Sequence, residues 1–260
     1  MKLIDFHCHA FPENIVSKAV NNIGNYYNIP MQEDGTLATL NSFLDADTDR
    51  KAVLLATATV PHQVHSINTW MSGILSDRIF GYAAIHADFD DIEGEIERII
   101  SLGYKGLKIH PEFQNFPIDY KGAYKIYEAA EGRLPILFHM GDENSDYSSP
   151  AKLKRILSDF PKLTVIGAHF GGYHVWDEAL KLLADTDIYM DTSSSLAFIT
   201  PEYARELIYA HGVEHFLFGT DYPMWSFEPE FERFNRIQLT DEEREMIFHK
   251  NAEKLLGLVE

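Results

Sequence analysis

The chain opens with a short apolar run that closes on two histidines, Leu3-Ile4-Asp5-Phe6-His7-Cys8-His9. Side chains alternate along a β-strand, so His7 and His9 are expected to leave one face while Cys8 leaves the other. Two neighbouring imidazoles at a strand end are a ready pair of nitrogen ligands for a divalent metal. A turn with two solvated histidines would look the same, so the choice between them depends on the rest of the chain.

Apolar, β-branched stretches alternate with amphipathic helical stretches along the chain, which indicates βα units and a parallel sheet. Strands are predicted at 3–6, 52–58, 79–85, 106–109, 135–138, 164–167, 187–190 and 215–218. Helices are predicted at 91–102, 120–131, 151–160 and 201–210, with two more around 25–35. A last helix should begin at a capping box, Thr240-Asp241-Glu242-Glu243, and end at Gly257.

The length and this alternation predict an α/β protein with one (β/α)₈ barrel, for which ~250 residues are typical. The chain has 260 residues, and no linker, repeat or low-complexity segment interrupts it. We therefore expect residues 1–260 to form a single domain. Active sites of this fold lie at the carboxyl ends of the strands.

The composition restricts the partners. The chain carries 22 basic and 40 acidic residues, a net charge of −18, which disfavours nucleic acid and anionic membranes as partners. No apolar run approaches the ~20 residues needed to cross a bilayer. One cysteine and no recognisable signal sequence predict a reducing, cytoplasmic location. The expected partner is a small-molecule substrate, and a homo-oligomer is left open.

Three further polar residues follow predicted strands. His139 ends the fifth strand, His169 the sixth, and Asp221 the eighth, while His7 and His9 end the first. Unrelated core histidines would not be expected to share this position. The set predicts a metal site at the carboxyl ends of the strands.

The polar residues that follow the strands belong to a series of motifs along the chain: Ile4-Asp5-Phe6-His7-Cys8-His9, Gly106-Leu107-Lys108-Ile109-His110-Pro111, Pro135-Ile136-Leu137-Phe138-His139-Met140-Gly141, Ala168-His169-Phe170-Gly171-Gly172, Tyr189-Met190-Asp191-Thr192-Ser193 and Phe218-Gly219-Thr220-Asp221-Tyr222-Pro223. In this order the motifs resemble those of the amidohydrolase superfamily, and more narrowly its amidohydrolase-related branch (amidohydrolase 2), which also contains metal-dependent decarboxylases. The resemblance covers the whole chain, up to a closing helix at 251–258.

The resemblance implies a catalytic barrel with one or two divalent metals. His7, His9 and His139 would hold the metal as neutral imidazoles, with Asp221 as a carboxylate ligand. Zinc suits this set most simply, with Mn²⁺ and Fe²⁺ as alternatives. Asp221 would also act as the general base. His169 would hydrogen-bond the attacking water or polarise the substrate, or alternatively bind a second metal.

Three neighbouring residues keep two interpretations each. Lys108 is either a plain ammonium, which pairs with Asp221 or binds a substrate carboxylate, or a carbamylated lysine that bridges two metals. We favour the ammonium. His110 either caps its strand or contacts the substrate. Asp191 either orients the ligand histidines or caps the next turn.

The expected function is a metal-dependent hydrolase that acts on a small ester, lactone or amide through metal-activated water. The alternative is a metal-dependent, non-oxidative decarboxylase of a small carboxylic acid. The substrate could be aromatic, because aromatic rings near the predicted site are compatible with a planar molecule. A binding protein that has lost catalysis is disfavoured, because every expected ligand position is filled.

Overall fold

The computed structural model describes residues 1–259. Eight strands form one sheet in the order β1 to β8. They are β1 (Leu3–Cys8), β2 (Arg50–Leu55), β3 (Ile79–Ala84), β4 (Gly106–Ile109), β5 (Ile136–Phe138), β6 (Val165–Gly167), β7 (Tyr189–Asp191) and β8 (Phe216–Leu217). The pairings of β1 with β2 and from β3 through β7 are parallel.

One or more α-helices follow every strand. They are α1 (Val16–Tyr27), α2 (Leu37–Asp45), α3 (Val64–Ser72), α4 (Ile92–Ser101), α5 (Pro111–Gln114), α6 (Tyr124–Ala130), α7 (Pro150–Asp159), α8 (Trp176–Leu183), α9 (Pro201–His211), α10 (Phe227–Asn235), α11 (Asp241–Glu245) and α12 (Asn251–Leu255). Sequential parallel strands with intervening helices are the topology of the (β/α)₈ fold. The predicted fold class is confirmed.

The two helices predicted around residues 25–35 are α1 and α2, which lie on either side of most of that segment. Asn28 adopts a left-handed conformation with φ 52° and ends α1, a conformation that asparagine tolerates better than most residues. Thr36 then caps α2, its hydroxyl oxygen accepting a hydrogen bond from the Thr39 N–H at 3.1 Å. The segment between them is therefore a connection.

The chain divides into two compact units by contact density. One comprises Met1–Leu54, Asp77–Ile79 and the segment from Asp191 onward, and the other comprises Leu55–Ser76 and Phe80–Met190. Each has its own buried aromatic cluster. In the first unit, the Phe218 ring meets those of Phe234 and Phe248 edge-on, with centroids 5.7 and 5.4 Å away.

In the second unit, the Tyr127 ring lies edge-on to those of Phe138 and Phe160, at 5.7 and 5.5 Å. A buried amide, that of Gln114, joins the segments of this unit that follow β2, β3 and β4. Its nitrogen donates to the carbonyls of Ala58 and Ile85 at 3.0 and 2.6 Å. Its oxygen accepts from the His110 N–H at 2.9 Å. These bonds fix the backbone of the segment after β4.

The last helical segment begins as predicted. Thr240 and Glu243 form a reciprocal capping box, and Gly257 has the left-handed φ of 67° that ends the segment. A π-helical stretch, Met246–Lys250, interrupts its middle. Within residues 1–259, no helix is long and apolar enough to span a membrane.

A fully buried carboxylate on α10, that of Glu230, makes the stability of the fold depend on pH. Burial raises the pKa of Glu230 from 4.5 to about 7, although the Arg233 guanidinium favours the charged form. The pKa of Glu230 is higher in the folded than in the unfolded chain. At pH values between the two pKa values, the folded protein therefore binds the proton more tightly than the unfolded chain does. The folded state therefore loses stability as pH rises from about 4.5 to about 7.

We expect Glu230→Gln to raise the free energy of unfolding above pH 7 by on the order of 1 kcal/mol, because the amide needs no charged solvation. Arg233 is partly exposed and can be hydrated when its partner loses charge. Denaturant unfolding at pH 5 and pH 8 measures the effect, with the exposed Glu232→Gln on the same helix as control. An equal gain at both pH values would contradict the assignment.

Candidate metal centre

The first group of site residues lies at the ends of β1 and β8. His7 is in β1, His9 follows it, and Asp221 lies four residues beyond Leu217, the last residue of β8. Asp221 Oδ1 is 3.4 Å from His7 Nε2 and 3.3 Å from His9 Nε2. The His7 side chain is 1% exposed, while those of His9 and Asp221 are 18% and 13% exposed. The group is thus closed on the His7 side and open to solvent at its other two members.

The turn that carries Asp221 is bonded directly to β1. The Asp221 N–H donates to the His7 carbonyl at 2.8 Å. Asp5 strengthens this junction, since Oδ1 accepts from the N–H groups of His7 and Thr220 and Oδ2 accepts from the Thr220 hydroxyl at 2.7 Å. Burial raises the pKa of Asp5 to about 6 against the effect of these hydrogen bonds. Asp5 therefore fixes the spacing between His7 and Asp221.

Asp191, the last residue of β7, orients His7. Its Oδ2 is 2.8 Å from His7 Nδ1, and because an ionised carboxylate only accepts hydrogen bonds, this nitrogen carries the proton. The Ser193 hydroxyl and N–H both donate to Asp191 Oδ1. Nε2 is thereby the basic nitrogen of His7, and it is the one that faces Asp221.

Cys8 lies at the same end of β1, and its surroundings there define its role. Its thiol is fully buried and contacts the Asp5 carbonyl at 3.9 Å. Burial and the neighbouring Asp5 raise the thiol pKa well above its usual value, which disfavours the thiolate that a nucleophile needs. The structure gives Cys8 a packing position.

The second group follows β4, β5 and β6. His139 Nδ1 and His169 Nε2 are 3.0 Å apart, and His139 Nε2 is 3.0 Å from the Gly141 carbonyl. A carbonyl only accepts, so Nε2 of His139 is the protonated nitrogen and Nδ1 is the basic one. Both residues are almost completely buried, at 4% and 2% exposure. The Trp176 indole donates to the His169 carbonyl at 3.1 Å and holds that segment.

His110 lies beside this pair and caps α5. Its ring is parallel to that of His139, with centroids 4.0 Å apart and planes 8° apart, and it stacks equally on Phe113. Its Nδ1 accepts from the Phe113 N–H at 3.4 Å. Three flat rings therefore lie parallel beside the ends of β4 and β5. Lys108, two residues before His110, lies in β4 and is fully buried.

Glu112 also belongs to this group, although no pattern in the sequence marks it as a site residue. Its Oε2 is 3.6 Å from His110 Nδ1, and Oε1 accepts from the Ser148 N–H and hydroxyl at 3.1 and 2.7 Å. Burial raises the pKa of the Glu112 carboxyl. Its contacts link the segment after β4 to the segment after β5, a long-range relation that local patterns do not reveal.

Both groups fit a divalent metal in chemistry and spacing. Ligand atoms about 2.0–2.1 Å from a tetrahedral metal lie about 3.3 Å from one another. The separations of 3.3 and 3.4 Å from Asp221 Oδ1 to the two imidazole nitrogens match this value, and the 3.0 Å between His139 and His169 is close to it. In His7, His9 and Asp221, one potential ligand atom from each residue lies within 4.8 Å of the other two, and the same holds for His110, Glu112 and His139.

We expect Asp191→Asn to weaken metal binding by about 10–100-fold, because an amide no longer enforces the tautomer of His7 as a carboxylate does. Chelator competition on the purified protein measures the dissociation constant. Asp187→Asn, the same change at an exposed position before β7, is the matched control and should leave the constant unchanged. Equal affinities in both variants would show that Asp191 does not tune His7.

A sequence relative, Decarboxylase orsB from Emericella nidulans, is 27% identical over 208 residues, which cover 76% of this chain. The aligned region is 52% of that protein, so the chain spans about half the length of this curated relative.

Solved structures resemble the chain over nearly its whole length. The uncharacterised TIM-barrel protein Bb4693 from Bordetella bronchiseptica superposes with a TM-score of 0.79 at 19% identity, covering 99% of both chains. A dihydroxybenzoic acid decarboxylase from Polaromonas sp. JS666, which holds manganese and the inhibitor 2-nitroresorcinol, gives 0.75 at 14% identity, covering 99% and 97%. Identities this low show the shared (β/α)₈ fold alone.

The family itself is shown by sequence. The Amidohydrolase family model (Amidohydro_2) matches residues 4–258, which include both groups of site residues. A divalent metal is the cofactor expected for this family, as the resemblance of the sequence motifs implied. The chain belongs to the Amidohydrolase family of metal-dependent enzymes.

Proposed function

We propose that this enzyme is a divalent-metal-dependent, non-oxidative decarboxylase of a small aromatic carboxylic acid. The observation that carries the proposal is the parallel ring stack of Phe113, His110 and His139, which makes the surroundings of a candidate ligand flat and aromatic. The named relative supports it, being a decarboxylase, as does the Polaromonas structure with its planar inhibitor. Decarboxylation is thus better supported than the hydrolysis expected from the sequence.

We propose His7, His9, His139 and Asp221 as the metal ligands. All four are in or follow strands of one parallel sheet near their carboxyl ends, the place where (β/α)₈ enzymes build their sites. The protonation of His7 and His139 described above supports this choice, because it leaves a basic nitrogen on each ring. Nitrogen-rich ligation suits zinc most simply, and manganese and iron are the alternatives to test.

The bound metal would supply a Lewis acid that holds the oxygen atoms of the substrate. Asp221 would carry the proton for the reaction, because its side chain is 13% exposed and can exchange with solvent between turnovers. The bond between the ring carbon and the carboxylate breaks, its electron pair stays on the ring carbon, and the proton from Asp221 forms the new C–H bond. Carbon dioxide leaves as a neutral molecule.

His169 and Lys108 would bind and orient the substrate. His169 Nε2 would donate to a substrate oxygen, and Lys108 would remain an ammonium that attracts the carboxylate rather than a carbamylated bridge. Both side chains are buried, so a carboxylate bound to them would be kept away from bulk water, which stabilises its charge and slows its loss.

The direct test is an assay of the metal-loaded protein against a panel of dihydroxybenzoates, other aromatic carboxylates and lactones. We expect carbon dioxide to be released together with the matching decarboxylated ring. Treatment with a chelator should abolish the release, and adding Zn²⁺ or Mn²⁺ should restore it. Acid release from a lactone without carbon dioxide would instead establish the hydrolase and contradict the proposed reaction.

A further inference from the structure

The two oxygens of the Asp221 carboxylate have different partners. Oδ1 faces the imidazoles of His7 and His9, at 3.4 and 3.3 Å from their Nε2 atoms. Oδ2 accepts a hydrogen bond from the Ser194 hydroxyl at 2.5 Å. A charged acceptor makes this bond stronger than one between neutral groups. The carboxylate therefore has a defined orientation, with Oδ1 directed at the histidines and Oδ2 directed at Ser194.

Trp225 fixes the direction of that hydrogen bond. Its indole Nε1 is 3.0 Å from Ser194 Oγ, and an indole N–H can only donate. Ser194 Oγ thus accepts from Trp225 and gives its single hydrogen to Asp221, the other nearby acceptor being Met224 Sδ at 3.5 Å. Consecutive hydrogen bonds of this kind polarise one another in the same sense.

The indole is itself held in place. Trp225 is 8% exposed, and the Arg233 guanidinium lies over its ring at 5.1 Å from the centroid. Arg233 is paired in turn with the buried Glu230. The Phe198 ring meets the indole edge-on with centroids 5.9 Å apart. Packing on several sides gives the donor little freedom to turn away from Ser194.

The backbone at both ends of the bond is strained. Ser194 has φ 48° and Asp221 has φ 69°, which places two non-glycine residues in the left-handed region. Such conformations cost of order 1–3 kcal/mol each and persist where the surroundings enforce them, often at functional sites. The side chains of these two strained residues are joined by a hydrogen bond. We infer that this contact serves the function of the site, because it is kept at a cost in local stability.

We propose that Ser194 and Trp225 are positioning residues, which hold Asp221 so that Oδ1 alone is presented to the metal. This inference rests on the proposed function, since it assumes a metal at His7, His9 and Asp221. Neither residue would touch the reacting atoms. Their role is to select Oδ1 as the ligand and to hold Oδ2, the oxygen that would carry the transferred proton, in a fixed direction.

Ser194→Gly separates this role from a structural one. Glycine accepts the positive φ without strain, which offsets the cost of the hydrogen bonds that Trp225 and Asp221 lose, so the metal-free protein should still fold and unfold at a similar temperature. The hydroxyl is lost, and we expect the dissociation constant for Zn²⁺, measured by chelator competition, to rise about 10–100-fold. The visible spectrum of the Co²⁺-loaded protein should change too, because Asp221 is free to rotate or to bind through both oxygens.

Trp225→Phe provides a second variant that keeps the aromatic packing and removes only the N–H. It should raise the dissociation constant for Zn²⁺ and change the Co²⁺ spectrum in the same direction as Ser194→Gly does, but by a smaller amount. Ser195→Ala is the matched control, because that neighbouring hydroxyl donates to the Ser193 carbonyl and makes no bond to Asp221. It should bind Zn²⁺ as the unaltered protein does.

The possible failures are distinguishable. Unaltered Zn²⁺ affinity and Co²⁺ spectrum in Ser194→Gly and Trp225→Phe would overturn the positioning role while leaving the metal site intact. A shift of the same size in Ser195→Ala would also overturn it, by showing a general effect of this segment. If the unaltered protein bound no divalent metal at all, the proposed function and this inference would both be wrong.

Discussion

Asp221→Asn is expected to lower turnover by on the order of 10²–10⁴, the usual share of a general acid or base. The amide keeps the shape of the carboxylate but cannot carry the transferred proton as an acid does. It also loses the negative charge that Oδ1 presents to His7 and His9. Asparagine tolerates the positive φ of this position, so the fold should remain intact.

The measurement is kcat/KM on a substrate that the unaltered enzyme converts, with metal content determined on the same sample. Metal content separates loss of a ligand from loss of the acid. Asp49→Asn is the matched control, because Asp49 is exposed at the residue before β2, at the opposite end of a strand from the site. A variant that kept near-normal turnover with its metal bound would refute the role given to Asp221.

The second large effect is expected for His169→Asn, again a loss on the order of 10²–10⁴ in rate. His169 is 2% exposed and directs Nε2 at His139 Nδ1, so its removal takes away a donor that water cannot readily replace. Its φ of 61° suits asparagine, which limits the structural cost.

The metal content of His169→Asn also reports the number of metals. With one metal, the variant should keep its full equivalent, whereas a two-metal site with carbamylated Lys108 should lose one. His62→Asn, at an exposed histidine, is the control for the substitution itself. Normal turnover in His169→Asn on a confirmed substrate would exclude His169 from the reaction.

The sequence predicted the fold because its signal is repeated. Eight apolar stretches alternate with helical ones, and errors at single boundaries do not change that order. The strand end at His7 shows why boundaries are harder to predict. β1 has a register irregularity between Asp5 and Cys8, so regular alternation does not by itself place His7 and His9 together. Their rings still lie 5.1 Å apart, because the turn after β8 is bonded to the end of β1.

The candidate ligands were predictable because each follows a strand, but their supporting residues were not. Asp5, Glu112, Gln114 and Ser194 act through partners 27 or more residues away in most of their contacts. In a sequence, a polar residue within an apolar stretch looks the same whether its side chain binds a distant backbone group or faces solvent. Burial and partner identity, which decide its role, arise only when distant segments meet in the fold.

The central claim is that the chain binds a divalent metal, for which His7, His9, His139 and Asp221 are our proposed ligands, and elemental analysis of the freshly purified protein tests it most directly. We expect at least one equivalent of zinc, manganese or iron per chain, which falls sharply in His139→Asn and is unchanged in His62→Asn. Less than half an equivalent of any such metal, with no activity restored by adding one, would contradict the account.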